Sequence, residues 1–234
     1  LKHTGLRDTT LVFYCGDNGT SGDAALGFPH RGVKGQVYEG GTLVPGLIEW
    51  PARIPQPRTT SFRASTSDLL PTLAALTGQP LPTRPLDGVD LTPVLDGKSN
   101  ERSTALHFWE FDTKRFAGAK PEPYIDPKLQ RGTTPLAKIQ GGKATRDFSN
   151  GRHPAITDAD YLGARTIIEG RHKLVIHDQK NGTPRRELFD LEADPAEKND
   201  LATQQPAVAD PLQTHLRAWQ DSVLRSLTGA DYAK

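Results

Sequence analysis

The stretch Thr10–Gly41, TLVFYCGDNGTSGDAALGFPHRGVKGQVYEGG, decides how the rest of the chain is read. Leu11-Val12-Phe13-Tyr14-Cys15 is an apolar, β-favouring run and predicts a buried strand. The run stops at Gly16-Asp17-Asn18-Gly19, and the small, polar Thr20-Ser21-Gly22-Asp23 follows. An Asn-Gly pair is a strong hairpin signal, but a hairpin needs a second apolar strand directly after its turn, and none is there. Further along, Arg31-Gly32-Val33-Lys34-Gly35 frames a lysine with glycines, and Glu39-Gly40-Gly41 closes the stretch.

Each piece has an ordinary reading and a chemical one. Asp17 and Asn18 suit a plain turn, the commonest use of such residues. Their oxygens also suit Ca²⁺ or Mg²⁺, but Ca²⁺ takes about 6–8 oxygens, so two residues supply only part of a shell. Lys34 alone reads as a solvated charge. In company, the flanking glycines let an anion come close to the backbone while the ammonium supplies a compact positive charge.

Composition narrows the classes. The 234 residues are enough for one or two domains with a respectable core. A net charge of +1, from 29 basic and 28 acidic residues, argues against a nucleic-acid surface. No apolar run is long enough to span a membrane. The single cysteine, Cys15, rules out an intrachain disulfide framework and reads as a small buried hydrophobe at the end of its strand. The chain holds no methionine and opens on Leu1-Lys2-His3-Thr4-Gly5, which reads as the tail of a helix ended by glycine. Both features lead us to expect that an N-terminal half of the same protein precedes Leu1.

The ordered set of motifs carries a family resemblance. T-L-V-F-x-x-x-D-N-G from Thr10, then R-G-x-K-G-x-x-Y-E-G-G-x-x-V-P-x-L-I-x-W-P from Arg31, closely resembles the second half of the type I sulfatases of the alkaline-phosphatase-like superfamily. Asp68-Leu69-Leu70-Pro71-Thr72-Leu73 and Leu86-Asp87-Gly88-Val89-Asp90-Leu91 continue it, as do Arg171-His172-Lys173-Leu174-Val175 and the run from Glu187 to Glu197. The resemblance covers residues 1–110 and 160–234, and is weaker over 111–159.

What this implies is specific. The fold would be α/β: a partial alkaline-phosphatase-like core, the C-terminal half of its sheet, over residues 1–104. A small antiparallel-sheet-and-helix subdomain would follow over 105–234, with a loop-rich insertion at about 112–159. Asp17 and Asn18 match the pair that ligates the active-site Ca²⁺, with Mg²⁺ as the alternative ion. Lys34 matches the catalytic lysine that holds the sulfate oxygens, and Glu39-Gly40-Gly41 a structural turn beside it. His30 is a weaker substrate-binding candidate, since a loop histidine is more often simply exposed. The implied activity is sulfuric ester hydrolysis of a sulfated small molecule or sulfated carbohydrate, in a periplasmic or secreted protein. The family's nucleophile is a formylglycine made in a C-x-P-S-R-like context, and no such motif lies in this chain; Cys15 stands in the wrong context. The chain alone is therefore expected to be inactive. Two alternatives stay open: a phosphate or phosphonate ester hydrolase of the same superfamily, and a non-catalytic sulfated-glycan-binding paralogue.

The remaining pattern predicts a strand near Leu43–Trp50 and a helix from Thr66 to Gly78, capped by Asp68, with Leu69, Leu70, Leu73 and Leu76 along one face. A short strand is read at 105–111. Short strands are also read at about 163–169, 172–177 and 186–191, separated by turn signals at Glu169-Gly170-Arg171 and Asn181-Gly182. A final amphipathic helix is read from Asp210 to Leu227, with Asp210 as cap, Pro211 at the first position and Leu212, Leu216, Trp219, Val223 and Leu227 as its buried stripe. Between them, 112–159 is rich in Lys, Arg, Gly and Pro. It reads as a solvated loop or as a substrate-facing lip in which Gly141-Gly142-Lys143 and Arg152-His153 would be the active parts.

Overall fold

A computed structural model describes residues 1–21, 29–111, 122–123, 151–152, 155–179 and 182–231. Gly141-Gly142-Lys143 and His153 lie outside the described residues. The chain divides into two compact units. One comprises Leu1–Glu110 with Gly163–Arg217, the other Phe111–Leu162 with Ala218–Lys234.

In the first unit a 3-10 turn over Lys2–Thr4 ends at Gly5, whose φ of 70° is the left-handed stop that glycine adopts without strain. Strand β1 (Val12–Cys15) follows, then the short helix α1 (Glu39–Thr42) and strand β2 (Gly46–Glu49). β1 and β2 pair antiparallel, with Tyr14 opposite Leu47 and Phe13 opposite Ile48. The expectation of a fully buried strand fails here. Tyr14 is 61% exposed and Leu47 57%, and no residue of either strand is fully buried.

Helix α2 (Leu69–Thr77) is entered through a 3-10 turn over Thr66–Asp68 and ended by Gly78. The cap differs from the expected one. Ser65 caps the turn, and Asp68 closes the box as its third residue, accepting from the Ser65 N–H at 2.7 Å. The buried face is Pro71, Thr72 and Ala74, while Leu70 and Leu73 stand exposed. Asp68 also takes two hydrogen bonds from the Arg102 guanidinium, at 2.8 and 2.9 Å. A further bond comes from the Val89 N–H at 2.8 Å. Helix α3 (Thr92–Leu95) completes this region.

Strands β3 (Leu106–Trp109), β6 (Arg165–Glu169), β7 (His172–His177) and β8 (Arg185–Asp190) form a four-stranded antiparallel sheet in the order β3-β6-β7-β8. The predicted strand positions agree closely, since short apolar runs such as Leu174-Val175-Ile176 and the Gly170 turn (φ 56°) are local signals. Ile167, Leu174, Val175, Leu188 and Phe189 are fully buried, each worth about 1.5–3 kcal/mol relative to exposure. Val37 and Tyr38 join Leu106, Ile168, Val175, Phe189 and Leu191 in one apolar cluster, so the approach to α1 is packed into the sheet's core.

In the second unit, strands β4 (Glu122–Pro123) and β5 (Gly151–Arg152) pair antiparallel. Thr157 and Asp160 close a capping box around the 3-10 turn Asp158–Tyr161. Helix α4 (Pro206–Thr228) belongs to the first unit as far as Arg217 and to the second from Ala218; it begins four residues before the expected start, with Pro211 inside it. Asp210 is released from capping and pairs with Arg186 at 2.6 Å. Its buried stripe is Ala209, Leu212, Leu216, Gln220 and Leu224, a helical repeat slightly rotated from the expected one. Among the described residues, no helix is long and apolar enough to cross a membrane.

Candidate active site

β1 delivers the chain into Gly16–Thr20, and three backbone hydrogen bonds fix what happens next. The Gly19 N–H donates to the Gly41 carbonyl at 3.1 Å and the Thr20 N–H to the Gly40 carbonyl at 2.9 Å. The Lys34 N–H donates to the Thr20 carbonyl at 2.7 Å. The Asp17-Asn18 loop is thereby stitched to the Lys34 segment and to the Gly40-Gly41 turn. Such close approach requires glycine. A Cβ at Gly19 would lie 2.3 Å from the Gly40 oxygen, and one at Gly40 2.2 Å from the Gly32 oxygen.

The side chains suit the roles expected of them to different degrees. The Asn18 amide nitrogen donates to the Gly19 carbonyl at 2.8 Å, which fixes the amide and leaves its oxygen as an acceptor. Asp17 beside it is exposed. Two adjacent hard oxygen donors fit part of a Ca²⁺ shell and no more. Among the described residues, no group of three or more His, Cys, Asp or Glu gathers to hold a metal ion. Lys34 is exposed, on a loop whose Gly32 (φ 83°) and Gly35 (φ 89°) take left-handed turns on either side of it. His30 is drawn elsewhere: its Nδ1 lies 2.8 Å from the Pro195 carbonyl, which can only accept, so Nδ1 carries the proton. An open cavity of about 580 Å³ lies there, lined by His30, Arg31, Glu187, Glu197 and Lys198 among others.

Beneath the glycine turn sits an ionic network that the sequence reading did not assign. Lys173, the fully buried second residue of β7, places its ammonium 2.9 Å from Glu39 Oε1 and 2.9 Å from Glu197 Oε1. Glu197 Oε2 accepts from the Glu39 N–H at 2.8 Å, and Arg63 reaches Glu39 Oε2 at 3.4 Å. Burial holds the Glu197 carboxyl above its ordinary range, against the pull of Lys173. The sequence signal was a lysine directly before the apolar run Leu174-Val175-Ile176.

The neighbouring residue is anchored separately. The Tyr38 hydroxyl donates to Glu187 Oε2 at 2.5 Å, with the Arg31 guanidinium 4.0 Å above its ring. His177 Nε2 lies 2.8 Å from the same hydroxyl. Burial and the Glu187 carboxylate push the Tyr38 phenol up to about 12. Burial would also raise Glu187, but hydrogen bonds from Tyr38 and Arg31 outweigh it and hold the carboxyl below its ordinary range.

Comparison with known proteins shows what the chain resembles. Residues 1–79 match the family described as Sulfatase. Arylsulfatase A of Bos taurus is 43% identical over 204 residues, which cover 84% of this chain and 34% of that protein. A structure solved in complex with its substrate D-glucosamine-2-N,6-O-disulfate superposes with a TM-score of 0.56 at 19% identity, covering 95% of this chain and 36% of that one. The phosphonate monoester hydrolase of Agrobacterium radiobacter gives a TM-score of 0.54 at 22% identity, with 94% and 37% covered. The fold is that of the alkaline-phosphatase-like superfamily. Within it the chain belongs to the sulfatase family, and it spans about a third of the length of the bovine relative.

Proposed function

We propose that this chain carries the metal-ligand pair and the charge-stabilising lysine of an enzyme that hydrolyses a sulfate monoester of a small molecule or carbohydrate. The backbone stitch from Thr20 to Lys34 and Gly40 supports the reading, because it holds the Asp17-Asn18 loop against the Lys34 loop. Asp17 and Asn18 would hold part of the shell of a Ca²⁺ ion, with Mg²⁺ as the alternative. Bound there, the ion supplies polarisation of the sulfate oxygens. Lys34 would lie against those oxygens and neutralise charge developing on the departing ester oxygen, a role suited to an ammonium on a loop that glycines keep open. His30 could reach substrate only by leaving the Pro195 carbonyl, which makes it the weakest member of the set.

The nucleophile motif of the family is not among these 234 residues. The proposed reaction therefore needs a formylglycine-bearing segment in addition to this chain, and the chain alone is expected to turn over no aryl sulfate. By family likeness the proposed location is periplasmic or secreted. The test is turnover of 4-nitrophenyl sulfate against 4-nitrophenyl phosphate by an enzyme joining these residues to such a segment. Lys34→Ala is expected to cost on the order of 10²–10³ in rate with the fold intact. An unchanged rate would remove Lys34 from the site. A preference for the phosphate ester would favour the second reading, a phosphate or phosphonate hydrolase, which the fold shared with the phosphonate monoester hydrolase keeps open.

A further inference from the structure

The proposed chemistry makes no use of Lys173, although its ammonium is among the most completely buried groups in the chain. A buried ammonium is costly to desolvate and is tolerated only when paired. Here it is shared between two carboxylates that come from opposite sides of the site. Glu39 opens α1 and is followed directly by Gly40 and Gly41, whose carbonyls receive the Gly19 and Thr20 N–H groups. Glu197 comes from the segment after β8, with a left-handed φ of 54° that a glutamate adopts only where its surroundings compel it. Its second oxygen takes the Glu39 N–H, so both ends of residue 39 are held. With Arg63 on Glu39, the cluster holds two carboxylates and two cations.

We infer that Lys173, acting through Glu39 and Glu197, is the positioning residue that fixes the Gly40-Gly41 turn, and with it the register of the Asp17-Asn18 loop against Lys34. The inference rests on the sulfatase reading of those loops, but its mechanical content stands apart from catalysis. Lys173 touches no proposed ligand. Its ion pairs clamp Glu39 to β7, the glycine carbonyls next to Glu39 carry the first loop, and the Thr20 carbonyl carries the Lys34 backbone. Release of the clamp should loosen this path while the four-stranded sheet, held by its own ladder and core, stays closed.

The experiment is residue-resolved amide hydrogen exchange on the 234-residue chain, comparing Gly19, Thr20 and Lys34 with Ile167, Leu174 and Val175 in the sheet. In Lys173→Met the first three are expected to exchange at least about tenfold faster relative to the sheet amides. Lys173→Arg, which keeps the charge, should restore part of the protection. Equal acceleration at all six amides would reduce Lys173 to a general structural residue and overturn the inference, as would no change at the first three. If Lys173→Met does not fold, the unmodified chain answers in sub-denaturing urea. Opening of Gly19, Thr20 and Lys34 along one isotherm with Val175 supports the clamp, and an independent, earlier opening refutes it. Failure of the sulfatase reading would show instead as absent sulfate-ester turnover by the enzyme that joins these residues to a formylglycine-bearing segment, with these exchange rates unaltered.

Discussion

Replacing Gly19 by alanine tests the close approach on which the site depends. The added Cβ would stand 2.3 Å from the Gly40 oxygen and 2.5 Å from the Gly41 oxygen. Unbonded carbon contacts settle at about 3.5–4.0 Å, so the two segments must part by roughly 1 Å. Both obstructing atoms are backbone, and no side-chain rotation relieves the clash. Overpacking of this kind costs about 1–3 kcal/mol. Parting also breaks the Gly19 and Thr20 hydrogen bonds, at ~0.5–1.5 kcal/mol each. A loss of about 2–6 kcal/mol in urea unfolding is expected. The matched control is Gly46→Ala in β2, where a Cβ meets nothing within 4 Å and φ lies outside the left-handed region. That change is expected to be neutral or to stabilise by ~0.4–1 kcal/mol through the unfolded chain. If the two variants unfold at the same urea concentration, the glycine contact does not hold the loop and the reasoning fails.

Two further outcomes follow from buried charge. Arg102→Leu strands the Asp68 carboxylate in a site where Asp68 is fully buried and the Arg102 side chain 6% exposed; a loss of about 3–5 kcal/mol is expected in urea unfolding. Arg7→Ala, which breaks the exposed pair with Glu49, should cost under ~1 kcal/mol, and similar losses for the two would contradict the burial argument. His107 is held down to about 4, chiefly by burial and then by the charges of His215 and Arg102. A depressed folded value contributes stability that is present above the unfolded value near 6.5 and lost as pH falls toward 4. Unfolding free energy should therefore fall less steeply over that window in His107→Gln than in the unaltered chain, and identical slopes would refute the assignment.

Much of the fold could be read from short stretches of sequence. β6, β7 and β8 lie within two residues of their expected positions, because a short apolar run and a glycine turn are properties of a few adjacent residues. The helix ending at Gly78 was legible for the same reason. Its interior face was not. Thr72 is buried because its hydroxyl donates to the Asp68 carbonyl and accepts the Leu91 N–H, and that second bond comes from a segment 19 residues away. The start of α4 was misplaced because Asp210 and Pro211 look like a cap and a first residue, while an ion pair with Arg186 gives Asp210 another task.

The sequence by itself determined the family, through an ordered set of motifs, and with it Asp17, Asn18 and Lys34 as the residues to examine. Local patterning also placed most strands. Only the tertiary structure decided which backbones touch, that His30 turns to Pro195, and that Lys173 lies between Glu39 and Glu197. The reason is physical. Strand alternation and turn chemistry act over a few residues. Pairing Lys173 with Glu39 across 134 residues, or Glu39 with Glu197 across 158, depends on a desolvated interior that exists only once the sheet has closed.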